Sequence, residues 1–269
     1  MYGAILGDII GSPYEFDRSP KKKEFPLFIP RSRYTDDSVM TIAVGEALLD
    51  TMGRNWEERK EAVVHSMQKW GKRYPDAGYG GKFYYWLYEP TPQPYNSWGN
   101  GSAMRVSSVG WLFDTLEETR QVARDTACVT HNHPEGLKGA EATASVIWMA
   151  RNGKSKEEIR EYVKKEFYPL KQTCDEIRPW YKFDVSCQGT VPQAITAFLE
   201  GYDFEDVIRT AVSLGGDCDT LTCISGGMAE AMYGVPEDLK ETCRLLLERD
   251  MVKVLNRFEE FRKDYNEKQ

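Results

Sequence analysis

One spacing recurs along this chain and decides its fold class: apolar residues at i, i+3, i+4, i+7 and i+8. Met40, Ala43, Val44, Ala47 and Leu48 carry it. So do Val191, Ala194, Ile195, Phe198 and Leu199, and again Phe204, Val207, Ile208, Ala211 and Val212. Cys243, Leu246, Leu247, Met251, Val254, Leu255 and Phe258 continue one stripe toward the C-terminus, and Ala140, Ala144, Ile147 and Trp148 give a weaker copy. This is the period of a helix with one buried face. Period-two alternation is scarce. The short apolar runs 25–29 and 83–88 fit strands or buried helical turns, and Pro26 argues against a central strand in the first. Gly and Pro gather between the periodic segments, at 11–13, 78–81, 90–101, 134–136, 215–216 and 234–236. No repeat or low-complexity linker divides the chain. The expected architecture is all-α: a single compact orthogonal multi-helix domain over 1–269, with 260–269 as a fraying tail.

Composition then narrows the function. A net charge of -7 argues against a nucleic-acid backbone or an anionic membrane as the main partner. The one basic run, Lys21-Lys22-Lys23, reads as a solvated loop. The six cysteines include no C-x-x-C pair and read as small buried apolar groups. The apolar N-terminus is short and interrupted by Asp8, which does not fit a signal peptide. No apolar stretch reaches spanning length. The cytoplasm is the expected location.

Two acidic clusters stand at expected helix N-termini. Tyr34-Thr35-Asp36-Asp37-Ser38 precedes the first stripe, and Gly215-Gly216-Asp217-Cys218-Asp219-Thr220 precedes the apolar segment 221–233. Capping alone explains an acid or a hydroxyl there. Each cluster offers more than one cap requires, and crowded carboxylates raise each other's pKa unless a cation compensates. At a loop-to-helix junction such side chains can converge on one point, and hard oxygen donors suit Mg²⁺, Mn²⁺ or Ca²⁺ rather than zinc.

The segments GAILGDIIGSPYEF (3–16), YTDDSVM (34–40), SWGNGSAMR (97–105), THNHPEG (130–136) and GGDCDT (215–220) occur in an order that resembles the ADP-ribosylglycohydrolase family, which includes dinitrogenase-reductase-activating glycohydrolase. The resemblance spans almost the whole chain. It implies an all-α fold with a dinuclear Mg²⁺ or Mn²⁺ site and hydrolysis of the glycosidic bond at C1″ of ADP-ribose in an ADP-ribosylated protein or small molecule. The implied metal ligands are Thr35, Asp36, Asp37, Asp217, Asp219 and Thr220. Glu15 matches a glutamate implicated in catalysis, with Asp36 and Asp37 as further candidates. Asn100, Gly101 and Ser102 match a loop near the ADP-ribose phosphates, and His131 a histidine near the substrate. Asp76-Ala77-Gly78 resembles a D-x-G segment implicated in arginine-directed members. Departures fall at Ser38, Ser102 and Glu230, none of them a carboxylate ligand.

The same residues also have plainer readings. Glu15 follows a Gly-Ser-Pro turn and fits a surface loop. Asp8 reads as a core helix group with no assigned chemistry. Asn100 or Ser102 fits an ordinary cap, and Arg105 fits a phosphate partner or a structural ion. His65 lies on an amphipathic helix. His131 and His133 fit the positioning of a substrate or a turn. Most of Tyr79, Phe83, Tyr84, Tyr85, Trp86, Tyr95 and Trp98 read as core. A non-catalytic ADP-ribose or metal-binding scaffold, or a metal-dependent nucleotide phosphohydrolase, fits the same pattern. A terpenoid-synthase-like site is disfavoured because TDDSVM lacks the second acid of DDxxD.

Overall fold

Glycine spacing at the N-terminus sets the centre of the molecule. Gly3, Gly7 and Gly11 recur every fourth residue along helix α1 (Tyr2–Gly11) and so share one face. In the computed structural model, which describes residues 1–266 with side chains through 263, that face lies against a second buried helix. A Cβ at Gly3 would stand 2.2 Å from the Gly226 carbonyl oxygen, and one at Gly7 2.1 Å from that of Thr222. Only glycine permits this approach, and every residue of α1 is buried.

The remaining helices follow in chain order. A 3-10 turn (Ser12–Tyr14) precedes α2 (Asp36–Asp50), α3 (Trp56–Arg73), α4 (Gly81–Tyr88), α5 (Gly101–Met104) and α6 (Val109–Leu112). Next come α7 (Leu116–Cys128), α8 (Pro134–Arg151), α9 (Lys156–Glu166), α10 (Cys174–Ile177) and α11 (Cys187–Glu200). The chain closes with α12 (Phe204–Leu214), α13 (Cys218–Tyr233), α14 (Glu237–Leu246) and α15 (Arg249–Asn266). Helix α13 is the partner of α1 and also packs on α8, α11 and α12. Caps set the starts: Asp203 accepts from Asp206 N at 2.7 Å, and Ser155 with Glu158 forms a capping box.

The fold is all-α, and no strand occurs among the described residues. Residues 83–88 lie within α4, and 25–29 is irregular. The long C-terminal stripe is two helices. Leu247 is buried in extended backbone (ψ 155°) between them, so α14 packs on α1 while α15 turns to pack on α2. Periodicity misses the break because the apolar phase resumes after it. Helix α15 runs to Asn266, and the rest of the tail lies outside the described residues. The basic run is not freely solvated: Lys21 Nζ donates to the carbonyls of Tyr181 (2.8 Å) and Leu214 (2.6 Å), and Lys23 pairs with Asp206. All six cysteines are free and five are buried. No helix among the described residues is long and apolar enough to cross a membrane.

Candidate active site

Asp8, on α1, organises the first acidic cluster. Its carboxylate is fully buried and accepts from Thr35 N (2.8 Å), Thr35 Oγ1 (2.7 Å), Ser38 N (3.0 Å) and Ser38 Oγ. It therefore anchors both the cap and the first turn of α2. Thr35 Oγ1 in turn accepts from Asp37 N at 3.3 Å. Asp36 and Asp37 follow in the first turn, where Asp37 Oδ2 lies 3.3 Å from the Thr35 hydroxyl. Asp37 Oδ2 accepts from Thr220 Oγ1 at 3.2 Å, while Asp37 Oδ1 is buried without a hydrogen-bond partner among the described residues.

The second cluster comes from the start of α13, which the α1 crossing brings alongside. Asp217 occupies the N-cap position but makes no side-chain cap bond, so capping does not explain it. Its Oδ2 instead accepts from Asn100 Nδ2 at 2.7 Å. Carboxylate oxygens of Asp8, Asp37 and Asp219 lie within 4.8 Å of one another, and so do those of Glu15, Asp217 and Asp219. None of these acids forms an ion pair among the described residues. Burial, then the charges of neighbouring acids, pushes Asp36 up to about 8 and Asp37 and Asp219 well above the usual carboxylate range. Burial raises Asp217 as well. Glu15 is pushed up to about 7 by burial, then by Asp217 and Asp8. An all-oxygen set with an unpartnered buried carboxylate oxygen and no internal cation fits one or more hard divalent cations.

Both clusters line one cavity of about 440 Å³, a size that suits a nucleotide-like ligand. Its other end is amide and cation. Asn100, Gly101, Arg105, Tyr95 and His131 line it. Arg105 is 1% exposed and donates from Nη2 to Thr130 Oγ1 (2.8 Å) and the Thr126 carbonyl (3.1 Å). Its Nε has no partner, and no carboxylate pairs with it among the described residues. Burial lowers its pKa to about 10. His131 is held well below the usual imidazole value by burial, then by the Arg105 charge.

The rim is partly aromatic. Phe16 and Phe183 meet with ring centroids 5.0 Å apart, and Phe183 N donates to Asp17 Oδ1 at 2.8 Å. Phe16 and Asp17 both adopt left-handed backbone (φ 55° and 59°), which turns the loop over the cavity mouth.

The structure thus brings Glu15, Asp36, Asp37, Asp217, Asp219, Thr220, Asn100, Gly101 and His131 to one cavity. Thr35 sits behind this lining, bonded to Asp8. Ser102 also lies outside it: its hydroxyl is spent on the Gly136 carbonyl at 2.7 Å, where α5 meets α8. Asp76 is exposed on the outside of its turn, and it is Gly78 (φ +111°) that reaches the cavity, against Asp36 Oδ1. His133 caps α8, accepting from Glu135 N at 3.1 Å. The sequence places Asp8 in the core of a helix, as found, but gives no site role to it or to Phe16, Phe183 and Thr130. Asp8 had one visible signal: an acid at a buried position of a glycine-faced helix.

An all-helical body with an acid-crowded cleft defines a class of helical hydrolases, and comparison assigns the family. The chain belongs to the ADP-ribosylglycohydrolase family, whose model matches residues 1–267, and it is a glycosidic-bond hydrolase. ADP-ribosylhydrolase ARH3 of Homo sapiens is 27% identical over 335 residues, covering 94% of this chain and 90% of that protein. ADP-ribosylarginine hydrolase Tri1 of Pseudomonas putida is 23% identical over 260 residues, covering 87% and 70%. A solved structure described as an ADP-ribosylglycohydrolase-related protein complex shares the fold, with a TM-score of 0.67 at 23% identity over 95% of this chain and 94% of that one.

Proposed function

We propose that this chain cleaves the C1″ glycosidic bond of ADP-ribose in an ADP-ribosylated protein or small-molecule conjugate, using two divalent cations, Mg²⁺ or Mn²⁺. The observation that carries the metal dependence is the uncompensated group of acids, with Asp37 Oδ1 buried and lacking a hydrogen-bond partner among the described residues. Thr35, Asp36, Asp37, Asp217, Asp219 and Thr220 would hold the cations, with Glu15 and Asp8 close enough to take part. When bound, such cations supply Lewis acidity and make water a stronger nucleophile at neutral pH.

The chain's own groups do the rest. Asn100 steadies Asp217 through its amide. Glu15, half-buried beside Asp217 and Asp219, takes the proton from the attacking water and passes it to the leaving atom as the C1″ bond breaks, with Asp36 and Asp37 as the next candidates. The acids around the reacting carbon favour the positive charge of an oxocarbenium-like transition state. The Arg105 and His131 end receives the anionic part of the substrate.

Titration of ADP-ribose into the protein with Mg²⁺ or Mn²⁺, repeated after chelation, tests this reading. Binding that disappears on chelation, with release of ADP-ribose from an ADP-ribosylated peptide, is the expected result. Release of phosphate from a free nucleotide instead would mark a phosphohydrolase.

A further inference from the structure

The hydrogen bonds behind His131 leave only one placement of protons that satisfies both the Thr130 hydroxyl and His131 Nδ1. Thr130 is wholly buried, and its hydroxyl lies 2.8 Å from Arg105 Nη2 and 2.7 Å from His131 Nδ1. A guanidinium only donates, so one Thr130 lone pair is taken by Arg105. If His131 Nδ1 carried a proton, it would take the other lone pair. The Thr130 hydroxyl proton would then have no acceptor among the described residues. Leaving a buried donor unmade costs about 1–3 kcal/mol. With Nδ1 bare, the hydroxyl donates to it, and neither Thr130 nor Nδ1 is orphaned. The ring proton then sits on Nε2.

Nε2 faces the cavity. It lies 3.3 Å from where a Cβ on Gly101 would stand, and 3.5 Å from the same point on Gly99. Side chains there would sit in contact with it and cover it, so the two glycines keep the N–H open to a ligand. Burial and the neighbouring guanidinium also keep the ring neutral.

We infer that Arg105 and Thr130 are positioning residues that lock His131 as its Nε2–H tautomer and present that N–H to an anionic oxygen of the substrate, a phosphate oxygen, above Gly99 and Gly101. The relay runs in one direction: guanidinium to hydroxyl, hydroxyl to Nδ1, Nε2–H to ligand. It places a fixed donor next to a buried positive charge that no carboxylate among the described residues pairs with. The identity of the acceptor rests on the ADP-ribose reading of the cavity, whereas the tautomer does not.

Nitrogen-15 NMR of histidine-labelled protein, without ligand, reads the tautomer directly. The chain has only His65, His131 and His133, and loss of one set of signals in His131→Gln assigns the residue. The wild-type ring is expected as Nε2–H alone. In Thr130→Val the preference is lost and ADP-ribose affinity falls about tenfold, the worth of one hydrogen bond to a charged group. Thr130→Ser, which keeps the hydroxyl, restores both and controls for misfolding. An Nδ1–H ring in the wild type overturns the inference, as does an Nε2–H ring unchanged in a folded Thr130→Val. Absence of ADP-ribose binding by the wild type overturns the phosphate acceptor and the functional reading together. Failure of the relay shows separately, in the ligand-free spectrum.

Discussion

At one end of the cavity Glu15, Asp36, Asp37, Asp217 and Asp219 crowd together with no ion-pair partner among the described residues; at the other Arg105 is buried with no carboxylate partner among them. A neutral amide, Asn100, reaches from the second end to the first through Asp217. A fold built only for stability would set these opposite charges against each other, because an uncompensated buried charge is costly. This fold keeps them apart. Each end therefore matches a ligand of the opposite sign, and a metal-bound, diphosphate-containing substrate provides both.

The sharpest way to break this comparison is to remove the acid shared by both carboxylate triads. Asp219→Ala is expected to lose metal binding by calorimetry and to lower kcat/KM by about a thousandfold, the several kcal/mol that metal-ion catalysis supplies. The same variant leaves the tautomer of His131 untouched. A variant with wild-type turnover would dissolve the distinction between the two ends.

The acidic end also has a pH signature. Asp36 has a folded-state value of about 8 against an ordinary 3.8, so between those values the metal-free folded chain holds protons that the unfolded chain has released. Stability of the metal-free chain therefore falls as pH rises through this window. Melting temperature in chelator is expected to drop on the order of 5 °C from pH 5 to pH 9. Saturating Mg²⁺ or Mn²⁺ abolishes or reverses the slope, because bound cations compensate the ionised acids. A flat chelator profile would mean that the acids are already compensated within the chain.

Asp8 sharpens the comparison from behind the site. Asp8→Asn keeps the shape but turns an acceptor of four hydrogen bonds into a group that accepts at one oxygen only. Metal affinity is expected to weaken about 10–100-fold, as when a supporting partner of a metal ligand is lost. Calorimetry with metal alone measures it, and ADP-ribose is not needed.

What sequence makes legible here is local. Acid pairs before a periodic stripe announce Asp36, Asp37, Asp217 and Asp219, because a helix N-terminus is written in consecutive residues. The helical class follows from apolar spacing for the same reason. Asp8 was not legible as a site group, because its role depends on Thr35 and Ser38, far along the chain on another helix. Ser102 and Asp76 match family segments, yet one side chain is consumed by Gly136 and the other faces solvent. The division between α14 and α15 was hidden because each half keeps the same period while packing on a different helix.

The rim gives the mildest test, because it belongs to neither charged end. Phe16 and Phe183 come from distant loops and are stapled by the bond from Phe183 N to Asp17. Both rings remain substantially exposed, at 55% and 38%, so they contribute little to the core. Phe183→Ala removes ring contact from the mouth without touching a carboxylate, Arg105 or His131. It is expected to raise KM about fivefold, near 1 kcal/mol of lost aromatic contact, with kcat and metal affinity unchanged. A fall in kcat would mean that the rim also shapes the reacting geometry. The division of labour would then extend past the two charged ends to the loops that cover them.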